Sequence, residues 1–175
     1  MSFREHLLSR NYNPDLYKNQ SIDDNNNLLS VHIYNLEDMM VGFQTYNPLG
    51  SKATFPRDAA KYNTYCMKGE KAFWGLETLD SSKSTLFIVE GLFKASALHK
   101  IGYNALSIFG SNASHLTDLL HSLNFELVAV GDNDEGGETL VKSVEKMGGF
   151  GFMLEKDVDE YTSTELIDIL TELGF

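Results

Sequence analysis

The stretch Leu127-Val128-Ala129-Val130-Gly131-Asp132-Asn133-Asp134-Glu135-Gly136-Gly137 decides the fold class. Its first four residues form a short apolar run of strand length, which the glycines and acids behind it end abruptly. A helical pattern follows, with Leu140, Val144 and Met147 at i, i+4 and i+7. Strand, acidic glycine-rich turn and amphipathic helix make up half of a βαβ unit. The same texture recurs on both sides. Leu86–Val89, Ala105–Phe109 and Phe150–Leu154 are compact apolar runs, with helical patterns after them around 92–100, 114–123 and 163–173. Buried strands alternating with helices predict an α/β unit over residues 84–175, with a parallel sheet of about four strands and flanking helices.

Ahead of residue 84 the texture is different. Leu7 and Leu8 lie in a short helical pattern, and Asn13-Pro14-Asp15 is a helix-start signal with proline at N1. Residues 21–30, with Asp23-Asp24-Asn25-Asn26-Asn27, read as a linker or loop. From 31 to 80, β-like segments (Val31–Tyr34, Met40–Tyr46) are punctuated by Pro48, Gly50 and Pro56. Residues 1–83 therefore read as an N-terminal helix plus a small β-rich α+β subdomain with antiparallel strands.

Composition narrows the function classes. The chain has 175 residues, 42% of them hydrophobic, which excludes a disordered chain. No apolar run approaches the roughly 20 residues of a membrane span. The start, Met-Ser-Phe-Arg-Glu-His, lacks an export signal, so the expected location is the cytoplasm. A single cysteine, Cys66, leaves neither a disulfide framework nor a cysteine-rich zinc site. The net charge of −11 is unevenly spread: residues 126–175 hold 13 acids and 3 bases. Residues 40–83 reverse the sign, with Lys52, Arg57, Lys61, Lys68, Lys71 and Lys83 against four acids. A basic segment beside an acidic cluster suits a polyanion held near a metal.

In an open α/β sheet the reactive groups lie beyond the carboxyl ends of the strands. There the first run ends in Glu90-Gly91, the third in Asp132-x-Asp134, and the fourth leads into Lys156-Asp157-Val158-Asp159-Glu160. Hard divalent cations take oxygen ligands, mainly carboxylates, so acids on one sheet edge point to Mg²⁺ or Mn²⁺. A single Asp-x-Asp is most often a solvated turn; several acids on one edge are harder to explain that way. The second run ends in Gly110-Ser111-Asn112, small and polar, open to a ligand. Other motifs fail. As an EF-hand, Asp132-x-Asp134 would need Glu where Ser143 stands, and the five histidines make no HExxH. No P-loop, dinucleotide fingerprint or Gly-x-Ser-x-Gly elbow is present. Glu165, Asp168 and Glu172 on the last helix form a solvated face or a protein-binding surface.

A strand ending in Glu-Gly and a later one ending in Asp-x-Asp-x-x-Gly resemble the TOPRIM fold shared by primases, topoisomerases and some nucleases. Lys156-Asp157-Val158-Asp159-Glu160 is similar to the Lys-Asp-Pro-Asp-Glu stretch of bacterial and phage DNA primases, with Val158 in place of proline. The front half is similar to the primase catalytic core too. Leu7-Leu8-Ser9-Arg10-Asn11 resembles its Leu-x-x-Arg-Gly opening, Val31–Tyr34 and Met40–Gln44 its strand pair, and Lys61-Tyr62-Asn63 and Lys68-Gly69 with Phe73-Trp74-Gly75-Leu76 its lysine segments. The family usually has an arginine where this chain reads Gln44-Thr45-Tyr46. The zinc-ribbon module that reads the template start, and the helicase-binding or helicase domain, have no counterpart in the sequence.

The resemblance implies magnesium-dependent nucleotidyl transfer on single-stranded DNA with nucleotides as substrates, supported by two Mg²⁺ or Mn²⁺ ions and no zinc. Glu90, Asp132 and Asp134 would be catalytic, and with Asp157 and Asp159 they would ligate metal. Glu90 could instead accept the proton of the attacking hydroxyl. Lys61 and Lys68 would hold phosphates; Gly91, Asn112 and Gly137 would allow nucleotide or nucleic acid to approach. Tyr62 and Trp74 offer rings for packing in the subdomain or for stacking on a base. The lack of accessory modules suggests a phage or mobile-element protein with a helicase or separate template-recognition partner. Two alternatives share the same acids: a metal-dependent nuclease, in which water replaces the 3′-hydroxyl, and a non-catalytic TOPRIM module that binds nucleic acid or protein.

Overall fold

A computed structural model describes residues 1–52 and 59–175. Pro56 and Arg57, read above as punctuation and as part of the basic segment, lie outside the described residues. Helix α1 (Phe3–Ser9) starts from a capping box, in which the Ser2 hydroxyl accepts the Glu5 amide and the Glu5 carboxylate accepts the Ser2 amide. Asn13-Pro14-Asp15 starts only a 3₁₀ turn, Pro14–Leu16.

Four strands then make an antiparallel meander in the order β1-β2-β3-β4: β1 (Gln20–Asp23), β2 (Leu28–Tyr34), β3 (Met40–Tyr46) and β4 (Tyr62–Cys66). The 21–30 segment is thus not a linker. Most of it belongs to the β1–β2 hairpin, and its Asp/Asn run supplies the tip. There the Asp23 carboxylate accepts the Asn25 and Asn26 amides, and Asn27 takes φ 51°. On β2 Leu29, Val31 and Ile33 face inward, the period-2 pattern of a half-buried strand.

The second sheet is parallel, in the order β6-β5-β7-β8: β5 (Thr85–Val89), β6 (Ala105–Ser107), β7 (Glu126–Gly131) and β8 (Phe150–Met153). Helices α2 (Leu92–Lys100), α3 (Thr117–Ser122), α4 (Glu135–Glu145) and α5 (Ser163–Glu172) cover both faces. Phe87, Val89, Val128 and Val130 face α2 and α5, while Leu86, Ile88, Leu127 and Ala129 face α3 and α4. From β5 the chain moves outward to β6, then returns to place β7 on the other side of β5. The carboxyl ends of β5 and β7 are therefore the topological switch point, where such sheets form a crevice.

An aromatic cluster joins the two sheets. Tyr17 packs on Tyr12 and on Trp74 at 4.8 Å between ring centres, and Tyr46 meets Phe93 of α2 edge-on at 4.7 Å. Trp74 exchanges backbone hydrogen bonds of 2.8 and 2.9 Å with Ser107 of β6. Only 3% of Trp74 is exposed, so of the two candidate rings it is the one that packs, and Tyr62 is the one that meets solvent.

His99 of α2 sits in this cluster. Its Nε2 lies 2.9 Å from the Ala105 carbonyl oxygen, which can only accept, so Nε2 carries the hydrogen. Nδ1 then accepts from the Tyr17 hydroxyl at 3.0 Å. Burial pushes the His99 pKa from 6.5 down to about 4. The folded chain thus refuses a proton that the unfolded chain binds between those values. Stability is unaffected above pH 6.5 and falls as the pH drops toward 4, by about 3 kcal/mol in all. Urea titrations of the wild type and of His99→Gln at pH 7 and pH 4.5 test this. The variant should lack most of the difference, and equal slopes would remove His99 as its source.

Candidate active site

Glu90 is the residue after β5, and Asp132 the residue after β7, so the register of one parallel pair places both acids on the same edge. Asp132 is buried at 8% exposure. Asp134 caps α4, its Oδ1 accepting the Gly137 amide at 2.8 Å, which satisfies a free helix N–H with a carboxylate at the positive helix end. Asp157 stands half-exposed in the loop after β8. Lys94, on the first turn of α2, contacts the Asp132 carboxylate and lies 3.8 Å from Asp157 Oδ2.

Glu90, Lys94 and Asp157 line a cleft of about 430 Å³ between the two sheets, while Asp132, in contact with Lys94, and Asp134 are not among its lining residues. Glu90, Lys94, Phe109 and Asp157 form its parallel-sheet wall, and Arg10, Gln44, Tyr62 and Thr64 the opposite wall. Gln44 donates from Nε2 to the Thr64 hydroxyl at 2.8 Å. Gly110 lines the same cleft, and a Cβ on Gly91 would meet open space. A larger hollow, about 670 Å³, lies at the other end of the strands among Phe125, Phe150, Leu173 and Phe175, away from the acids.

Burial raises the Glu90 carboxyl above its ordinary range, the nearby Asp132 charge adds to this, and Lys94 opposes it. Asp132 is raised by burial as well, against the pull of its contact with Lys94. Burial also pushes the Tyr62 hydroxyl up to about 12, so Tyr62 faces the cleft as a neutral phenol at physiological pH.

Several expected site residues are placed differently. Asp159 is committed to Arg10, whose Nη2 lies 2.6 Å from a carboxylate only 6% exposed. Asn11 Nδ2 donates to the Asp159 carbonyl at 3.1 Å, so this acid ties α1 to the loop after β8. Lys61 precedes the edge strand β4 and Lys68 follows it, and neither lines the cleft. Asn112 Oδ1 accepts the Ser114 amide at 2.9 Å, starting the 3₁₀ turn before α3. Gly137 lies against the Asp132 backbone, where a Cβ would come within 2.0 Å of the Asp132 carbonyl oxygen. The sequence reading missed Lys94. Its signal was a lone charge among Leu92, Phe93, Ala95, Ser96, Ala97 and Leu98, all buried.

Among the described residues no three His, Cys, Asp or Glu side chains stand close enough together to form a ready-made metal site. Two observations nevertheless fit a hard divalent cation. Glu90 Oε1 and Asp132 Oδ1 are buried without a hydrogen-bond partner among the described residues, a costly state for carboxylate oxygens. Glu90 Oε1 and Asp134 Oδ1 also flank an open cradle above Gly136, 3.0 and 3.1 Å from where a Cβ would stand. Oxygen donors of this kind are what Mg²⁺ and Mn²⁺ take.

No family model matches the sequence, and no curated protein does. Solved structures do match by fold. The DnaG primase catalytic domain bound to single-stranded DNA is similar over 97% of this chain and 57% of its own, at 17% identity and TM-score 0.62. The zinc-binding and RNA polymerase domains of Aquifex aeolicus primase are similar over 83% of this chain and 39% of theirs, at 18% identity and TM-score 0.63. The primase fragment of the bacteriophage T7 primase-helicase protein is similar over 85% of this chain and 62% of its own, at 14% identity and TM-score 0.61. The chain therefore spans only about two fifths to three fifths of those chains. A parallel sheet with acids at its switch point, an antiparallel sheet across a cleft from it, and these neighbours together give the chain the fold of a DNA primase catalytic core.

Proposed function

We propose that the chain catalyses primase-like nucleotidyl transfer on single-stranded DNA, dependent on Mg²⁺ or Mn²⁺, within a phage or mobile-element replication system. The observation that carries this is the pair of unpartnered buried oxygens, on Glu90 and Asp132, at the edge of a cleft between two sheets. Glu90, Asp132 and Asp134 would hold the cation, with Asp157 beside them. When bound, a divalent cation supplies positive charge to the phosphoryl oxygens and acidifies the attacking hydroxyl. Arg10, fixed by Asp159, presents its guanidinium at 4.4 Å over the Phe93 ring and faces the cleft, placed to contact template phosphate. The exposed edge of Tyr62 offers a stacking surface for a base. Lys61 and Lys68, outside the cleft, would meet only nucleic acid that runs beyond it.

The test is incubation with labelled single-stranded DNA, four ribonucleotides and Mg²⁺ or Mn²⁺, read on a denaturing gel. Short ribonucleotide-labelled products that require both nucleotides and metal are expected. Cleaved template without nucleotides would instead establish a nuclease, and no reaction beside retained DNA binding would leave a binding module.

The Gly136 cradle gives a finer prediction. In Gly136→Ala the methyl occupies the space between Glu90 Oε1 and Asp134 Oδ1. Mn²⁺ affinity should fall about tenfold, about 1.4 kcal/mol. Unfolding should shift by less than about 1 kcal/mol, because alanine gains in helix propensity what the displaced side chains lose. Calorimetric Mn²⁺ titration and urea unfolding read the two effects separately. Unchanged affinity would move the cation away from this cradle.

A further inference from the structure

Lys94 stands where a second metal ion would be expected. Its ammonium is in contact with Asp132 Oδ2 and 3.8 Å from Asp157 Oδ2, and its side chain is 13% exposed. Paired ions in two-metal sites sit roughly 3.5–4 Å apart and share carboxylate ligands. Here the shared position between Asp132 and Asp157 is taken by a cation fixed to helix α2. Of the oxygens left without a partner, Glu90 Oε1 lies beside Asp134 Oδ1 across the Gly136 position, and Asp132 Oδ1 is the carboxylate oxygen that Lys94 does not contact.

We propose that this site takes one divalent cation, at Glu90, Asp132 and Asp134, and that the Lys94 ammonium supplies the second positive charge between Asp132 and Asp157. The proposal rests on the nucleotidyl-transfer reading for its purpose, but the ion count stands by itself. Charge supports it. Four carboxylates, one ammonium and one divalent ion sum to −1, whereas a second ion would leave the group at +1 before any substrate phosphate arrives. An ammonium has three N–H donors; one goes to Asp132, while Asp157, at 3.8 Å, is held by charge alone. The donors left over are available to a phosphate oxygen, and Lys94 lines the cleft where one would lie.

The experiment is a Mn²⁺ titration of the metal-free chain, with free Mn²⁺ read by electron paramagnetic resonance. The wild type should saturate at one ion per chain, Lys94→Gln at two, and Lys94→Arg, which keeps the charge, at one. Two ions on the wild type would overturn the proposal whether or not Lys94→Gln folds. So would one ion on a folded Lys94→Gln, or no ion on the wild type. The primer-synthesis assay separates this from the reading beneath it. One ion on the wild type without labelled product keeps the ion count and removes nucleotidyl transfer, and product from a chain holding two ions does the reverse.

Discussion

Asp132→Asn should lose at least about 10³-fold in primer synthesis, about 4 kcal/mol of transition-state stabilisation. The residue holds both functions of the site: Oδ1 is unpartnered and available to a cation, and Oδ2 anchors Lys94. Asparagine keeps the shape and deletes the charge, and it can turn its amide nitrogen toward one of those positions, where a donor replaces an acceptor. Folding should suffer far less. Burial already holds the Asp132 carboxyl above its ordinary range, so its ionised form costs the folded state. Removing that cost offsets the weakened hold on Lys94, and the unfolding free energy should stay within about 1 kcal/mol of wild type. Rates from the gel assay beside urea midpoints decide the matter. Wild-type synthesis by this variant would remove Asp132 from the chemistry, and collapse of the midpoint would make the loss structural.

Gly137→Ala should have the largest effect on stability. An alanine methyl would lie 2.0 Å from the Asp132 carbonyl oxygen, 2.4 Å from its nitrogen and 2.8 Å from its carbonyl carbon. All three are backbone atoms at the end of a buried strand, so none can rotate away. The contact is reciprocal, since a Cβ on Gly131 would lie 2.6 Å from the Gly137 oxygen. The first turn of α4 must move outward, at a cost of about 3 kcal/mol. The Asp132–Asp134 loop would move with it, so metal affinity and primer synthesis should fall together. That separates this variant from Gly136→Ala, one residue earlier, where affinity falls and the fold is kept. A Gly137→Ala midpoint equal to wild type would show that the loop has slack the contacts do not suggest.

The parallel half was legible because its signals are local. Apolar runs, acidic turns and helix patterns at 92–100 and 163–173 fall within a residue of the helices Leu92–Lys100 and Ser163–Glu172. Strand β1 was illegible for the opposite reason. Gln20, Ser21, Ile22 and Asp23 form an edge strand that is never fully buried, so no apolar alternation marks it. At the site the acids could be read from strand ends, but their partners could not. Lys94 meets acids 38 and 63 residues away, and Arg10 meets Asp159 across 149. Only the folded topology joins such pairs. The same distance explains Lys61 and Lys68: their charge and the resemblance of their segments marked them, and neither says which side of an edge strand faces a cleft.

The aromatic joint between the sheets has a mechanical consequence. Tyr12, Tyr17, Trp74 and His99 interlock, and Phe93 carries the contact on to the buried Tyr46 and to Tyr62, which lines the cleft's far wall. A jaw that closes on its substrate needs a thin, wet seam about which to swing. This seam is buried, and one hydrophobic cluster runs through it from the antiparallel sheet to the parallel one, so the halves should melt in one calorimetric transition. A nucleic-acid strand would then thread a slot whose width is set before it arrives, and selection would rest on fit rather than on grip.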